Sequence, residues 1–178
     1  MDLLAQAEHD KNAQAILIST ESYFLEEVEK NLMRFIETLP RSNIILSSLK
    51  SHGALIKVQD LDEAVNIANL IAPEHLELSI ENPRNYLSKI RHAGAIFMGG
   101  HTPESFGDYC AGPNHVLPTS GSARFSSALG VADFQKRISI IECQAEGAAK
   151  MAVVAAEVAK AEGLTAHARS ALMRINTK

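Results

Sequence analysis

The order of short apolar runs restricts this chain's fold more than any other feature. Four stand apart: "AQAILIS" (13–19), "ALIKV" (54–58), "EHLELSI" (74–80) and "AIFMG" (95–99). Each has the length of a strand. Between them lie segments with helical spacing. Residues 20–38 open at Thr20 and Glu21 and repeat Phe24, Leu25, Val28, Leu32, Phe35 and Ile36 along one face. "RSNIILSSLKSHG" reads as a second helix ended by Gly53, and "DLDEAVNIANLIA" as a third, capped by Asp60 and stopped by Pro73. "NPRNYLSKIRHAG" also reads as helical, and "DLLAQAEHD" as a short helix at the start. Strands alternating with helices predict an α/β fold, a parallel sheet with helices on its faces.

The pattern changes after residue 100. Residues 100–127 read as one long irregular segment, and segments of that length in compact proteins are usually functional or disordered. "DFQKRISIIECQ" predicts a turn and a short strand. An alanine-rich helix over about 144–161 and a last helix, "LTAHARSALMRI", make residues 130–178 a helical arm. A helical pair this small, with few bulky apolar side chains, needs another surface to pack on.

Composition narrows the function classes. The 178 residues suit one domain, or one domain plus an appendage, and 46% hydrophobic content supplies a core. No apolar run reaches the roughly 18 residues that span a bilayer. The start, "MDLLAQAEHDKN", is unlike a basic-then-apolar signal peptide, so the expectation is a soluble, cytoplasmic protein without a membrane partner. The net charge of −4, with basic residues scattered, gives no support to a nucleic-acid partner. Cys110 and Cys143 are too few and too far apart for a disulfide framework or a cysteine zinc site.

The candidate chemistry lies in four places. Gln6 and His9 are three apart, which on a helix puts both on one face, either as two ligands to one metal or as a solvated surface. "APEHLE" sets Glu74 beside His75 at a strand start, either as two bases for two proton transfers or as a cap and a core residue. Asp108 and His115 sit in the irregular segment, where a carboxylate beside an imidazole suits zinc and Gly107, Gly112 and Gly121 let the backbone approach a ligand. His167 lies in the last helix, five residues after Glu162. Cys110 has no neighbour that marks a lowered pKa and reads as a small semi-buried thiol.

Taken in order, "LLAQAEHD", "APEHLEL", "ESFGDYCAGPNHVLPTSG", "GVADFQKR" and "AEGLTAHARSALMRI" resemble the histidinol dehydrogenase family over essentially the whole chain. The resemblance implies a partial Rossmann-like parallel sheet flanked by helices, with residues 1–129 as the C-terminal part of the larger domain and 130–178 as an arm packed on a partner subunit. It implies zinc held by Gln6, His9, Asp108 and His167, the last from the second subunit of a homodimer. Glu74 and His75 carry the acid–base chemistry. The substrate, L-histidinol, is expected to meet Gln6, His9, His75, Asp108, His115, Glu162 and His167. The implied reaction is two successive NAD-dependent oxidations, through the aldehyde to L-histidine.

Members of that family are more than twice as long, and the NAD-binding half lies outside the matched part. No glycine-rich dinucleotide fingerprint is present, so no cofactor-binding residue is assigned here. The chain is therefore expected to be a fragment, or one subunit of a split enzyme completed by another chain, inactive alone. The alternatives are a non-catalytic zinc- or ligand-binding remnant, and a dehydrogenase of another small polar alcohol.

Overall fold

A computed structural model describes residues 1–175. They fall into two compact units, Met1–Phe134 and the residues from Gln135 onward. The first unit holds β1 (Ile16–Ser19), β2 (Ala54–Lys57), β3 (His75–Leu78) and β4 (Ala95–Met98), one in each of the four apolar runs. β1 pairs parallel with β2, from Ile16 opposite Ala54 to Ser19 opposite Lys57. β3 pairs parallel with β4, from His75 opposite Ala95 to Leu78 opposite Met98. The fold is α/β with parallel strands, as the alternation predicts. The expected single sheet is divided into two pairs, however. Most strand residues are only half-buried, so neither pair is enclosed on both faces as parallel sheets usually are.

α1 (Asp2–Ala7), α2 (Ser22–Ile36) and α3 (Ser42–His52) build the core beside the first pair. Leu4 and Ala7 of α1 meet Ala15, Ile36 and Ile45, with Leu3, Leu32, Phe35, Leu39 and Leu49 around them. Ser48 is fully buried one turn along α3 from Ile45. Its hydroxyl is satisfied by donating to the Ala13 carbonyl at 2.8 Å. These contacts anchor α1, the element that carries Gln6.

α4 (Leu61–Ile71) begins as its sequence predicts. Asp60 accepts the Glu63 N–H at 2.8 Å, and Glu63 accepts the Gln59 N–H at 2.7 Å. The helix ends at Ala72, which turns left-handed at φ 53° ahead of Pro73. Arg124 donates to the Leu70 carbonyl, and to that of Gly121 at 2.8 Å, so the helix end is capped from a distant loop.

Three expectations are corrected. The segment read as a helix over 82–94 is only a 3-10 stretch, Pro83–Lys89. Asn69 of α4 takes the N–H groups of Arg91 and His92 at 2.7 and 3.3 Å and donates to the Lys89 carbonyl at 2.9 Å, which draws the chain out of helix. Residues 100–127 are not uniformly irregular, since α5 (Glu104–Tyr109) and a 3-10 turn (Ser122–Arg124) lie within them. The short strand expected within 133–144 does not form. Residues 135–144 are exposed and without regular structure, and no strand beside them takes their backbone groups among the described residues.

The second unit holds α6 (Ala145–Ala161) and α7 (Thr165–Leu172). Gly163, at φ 77°, reverses the chain between them. Ala156, Ala159 and Ala168 are buried where the two helices meet, and their small side chains let the backbones approach. No described helix is long and apolar enough to cross a membrane.

Candidate active site

α1 supplies Gln6, and the turn after it supplies His9. The helix stops at Ala7, so the two do not share a continuous helical face as their spacing predicts. Asp10 explains the stop. Its carboxylate accepts the backbone N–H of Asn12 at 2.9 Å and its side-chain amide at 3.0 Å, an Asx-type turn that competes with helix. Arg41 steadies the turn by donating to the His9 carbonyl at 3.3 Å.

β3 supplies His75 and Glu77, which share a face because strand side chains alternate. His75 Nδ1 lies 3.4 Å from Gln6 Oε1. That carbonyl oxygen can only accept, so it selects the tautomer with hydrogen on Nδ1 and leaves Nε2 bare. Nε2 is buried without a hydrogen-bond partner, 3.8 Å from Asp108 Oδ1. The ring stands edge-on to Phe97 at 5.8 Å. Burial holds the imidazole below its ordinary value, against the charges of Glu74 and Asp108, while His9 adds to the lowering. His75 is thus a neutral ring with a free basic nitrogen.

Glu74 sits at the bend ahead of β3, where Gly94 lets the neighbouring chain pass. A Cβ at Gly94 would lie 2.6 Å from the Glu74 carbonyl oxygen.

α5 supplies Asp108. At the start of this helix the Glu104 N–H donates to Glu77 Oε1 at 2.9 Å. Further along, Gly107 rests on Phe97, where a Cβ would fall 2.7 Å from two ring carbons. Only glycine permits this approach. Glu104, one turn before Asp108, is 7% exposed. Its carboxyl is pushed up to about 7, first by burial, then by its hydrogen bond to Asp108 and the charges of Asp108, Glu77 and Glu74. Burial raises Glu77 as well. His9, Glu104 and Asp108 each offer a ligand atom, all within 4.8 Å of one another.

Glu104 is the residue that sequence reasoning missed. It fell in the stretch read as irregular, although its four-residue spacing to Asp108 is a helical signal.

The remaining candidates come from other segments of the chain. His115 is exposed in the stretch after α5, beside an Asx turn in which Asn114 accepts the Val116 N–H at 2.7 Å. Glu162 at the C-terminal end of α6 and His167 in α7 are exposed residues of the second unit. Cys110 is exposed rather than semi-buried, at the C-terminal end of α5.

Imidazole, carboxylate and amide oxygen together form a donor set suited to zinc. The bare Nε2 of His75 and the partnerless Oε1 of Glu104 are buried atoms that a bound group would satisfy. Fold and site define an α/β protein that gathers groups able to hold a metal and to move a proton at the start of β3 and on α5.

A family model described as histidinol dehydrogenase matches residues 1–175. The histidinol dehydrogenase of Nitrosospira multiformis is 59% identical over 178 residues, covering 100% of this chain and 40% of the relative. That of Neisseria meningitidis serogroup B is 61% identical over 175 residues, covering 98% and 41%. The crystal structure of histidinol dehydrogenase from Elizabethkingia anophelis superposes with a TM-score of 0.89 at 36% identity, over 98% of this chain and 40% of that one. The chain belongs to the histidinol dehydrogenase family, and it spans about 40% of the length of the curated relatives it matches.

Proposed function

We propose that this chain carries the zinc and acid–base side of an enzyme that oxidises L-histidinol to L-histidine with NAD. One observation supports the reading above the others. Gln6, His9, His75 and Asp108 are scattered in sequence, yet Gln6 meets the His75 ring at Nδ1, Asp108 lies 3.8 Å from its bare, buried Nε2, and His9 offers a ligand atom within 4.8 Å of Asp108. In this proposal Gln6, His9 and Asp108 hold zinc, and His167 of a second copy completes the set. When bound, zinc polarises and orients the amino alcohol.

His75 receives the hydroxyl proton at Nε2 as hydride leaves the carbinol carbon, and Gln6 keeps its Nδ1 protonated. Glu74 removes a proton from the water that attacks the aldehyde. His115 and Glu162 contact the substrate. Residues 1–129 act as part of the larger domain and 130–178 as an arm on the partner. NAD supplies the hydride acceptor, and its contacts are assigned to no residue of this chain. These 178 residues by themselves are therefore expected to bind L-histidinol without oxidising it.

The test is zinc content after dialysis, with L-histidinol titrated by calorimetry. About one zinc per chain is expected, lost in Asp108→Asn and His9→Asn together with histidinol binding. Zinc retained in both variants would overturn the reading.

A further inference from the structure

We propose that Phe97 is a positioning residue of the site, a spacer whose ring touches both His75 and the glycine beside Asp108 and so sets the gap between those two side chains. This rests on the roles proposed above for His75 and Asp108 and goes beyond them. His75 Nε2 and Asp108 Oδ1 lie 3.8 Å apart, too far for a hydrogen bond, and Nε2 has no other partner. No polar contact therefore holds Nε2 at its distance from Asp108. The packing behind the two side chains has to hold it.

Phe97 is placed for that task. It is 7% exposed and lies on β4 opposite Glu77, so it shares a sheet face with Glu77 and His75. Ala95, the residue opposite His75, is small, and the Phe97 ring meets the imidazole edge-on at 5.8 Å. The same ring meets α5. A Cβ at Gly107, the residue before Asp108, would lie 2.7 Å from its Cε1 and Cζ atoms. Glu77 anchors the start of α5 through the Glu104 N–H, and Phe97 supports the helix at Gly107, beside Asp108. Interiors are close-packed, so the length of one buried ring is felt as a displacement of whatever rests on it.

The experiment compares the unaltered full chain with Phe97→Leu, Gly107→Ala and the double variant, each checked for folding by circular dichroism. Phe97→Met replaces Phe97→Leu if the latter does not fold. In chelator-treated protein, NMR reads the cross-relaxation between the His75 ring protons and the Asp108 side chain. Zinc affinity is measured by competition with a chromophoric chelator. Each single variant is expected to alter the cross-relaxation and to weaken zinc ~10-fold or more, Phe97→Leu by letting α5 sink and Gly107→Ala by lifting it. The double variant is expected to recover both, because the methyl group added on α5 takes the place of the ring atoms removed from β4.

Unchanged affinity and cross-relaxation in Phe97→Leu would overturn the spacer role. So would a double variant that binds zinc no tighter than both single ones, since general loosening adds where a restored fit cancels. If the unaltered chain binds no zinc, the zinc reading falls and the cross-relaxation alone decides the spacer: recovery in the double variant upholds it, and no recovery overturns it.

Discussion

His75 and Glu104 store protons in opposite senses, and each gives a pH signature. The folded chain depresses the His75 pKa, so between that value and 6.5 the unfolded state binds more protons. Stability from this group is present above 6.5 and is lost as pH falls. Its ring carbon proton should titrate below the ordinary histidine value of 6.5 in an NMR series. Glu104 behaves conversely. Its folded value of about 7 exceeds the ordinary 4.5, so the folded chain holds the extra proton. Stability is full below 4.5 and falls as pH rises through 7. In chelator-treated protein, Glu104→Gln should therefore be the more stable form at pH 8, by at most about 3 kcal/mol. The difference should vanish near pH 4.5 in urea denaturation.

At the scale of elements, α5 decides whether the site assembles. It is six residues long and has no core face of its own, so tertiary contacts hold it. Gly107→Ala would drive a methyl group into Phe97 and lift α5 from β4. The expected loss is about 1–3 kcal/mol of stability, with zinc affinity reduced at least tenfold. Asp60→Ala makes the contrast. It should destabilise by about 1 kcal/mol through the α4 cap and leave zinc affinity unchanged. These elements also show what the sequence reveals. β1 to β4 were legible because four apolar runs are separated by helical periods, and α4 because Asp60 and Pro73 bracket it. α5 was not, since "PESFGDY" offers Pro103, Gly107 and no apolar stripe, and its stabilising contacts come from Glu77 and Phe97. The end of α1 escaped notice for a similar reason, a side-chain turn at Asp10 outcompeting the helical period. Gln6 and Asp108 were legible as possible ligands from their local neighbours, but joining them with His167 in one site came only through family resemblance, because spacing alone gives no contact between distant segments.

For the whole molecule, the question is which chain completes the proposed zinc site. If His167 acts on a second copy, mixing Asp108→Asn chains with His167→Ala chains should restore zinc binding that neither shows alone. One hybrid site then has all its ligands, and equilibrium dialysis at several mixing ratios would measure it. The second unit also leaves large apolar groups uncovered. Ile138, Ile140 and Ile141 are 71–91% exposed in its irregular lead segment, a surface that promotes association. Light scattering should report self-association, and Ile140→Lys should reduce it. The convergence of α1, β3 and α5 has one more consequence. The donor atoms meet only in the folded chain, so zinc held as proposed would favour the native state and add about 2.7 kcal/mol at a hundredfold excess over its Kd. Melting temperature then becomes a gauge of metal occupancy that needs neither substrate nor nicotinamide.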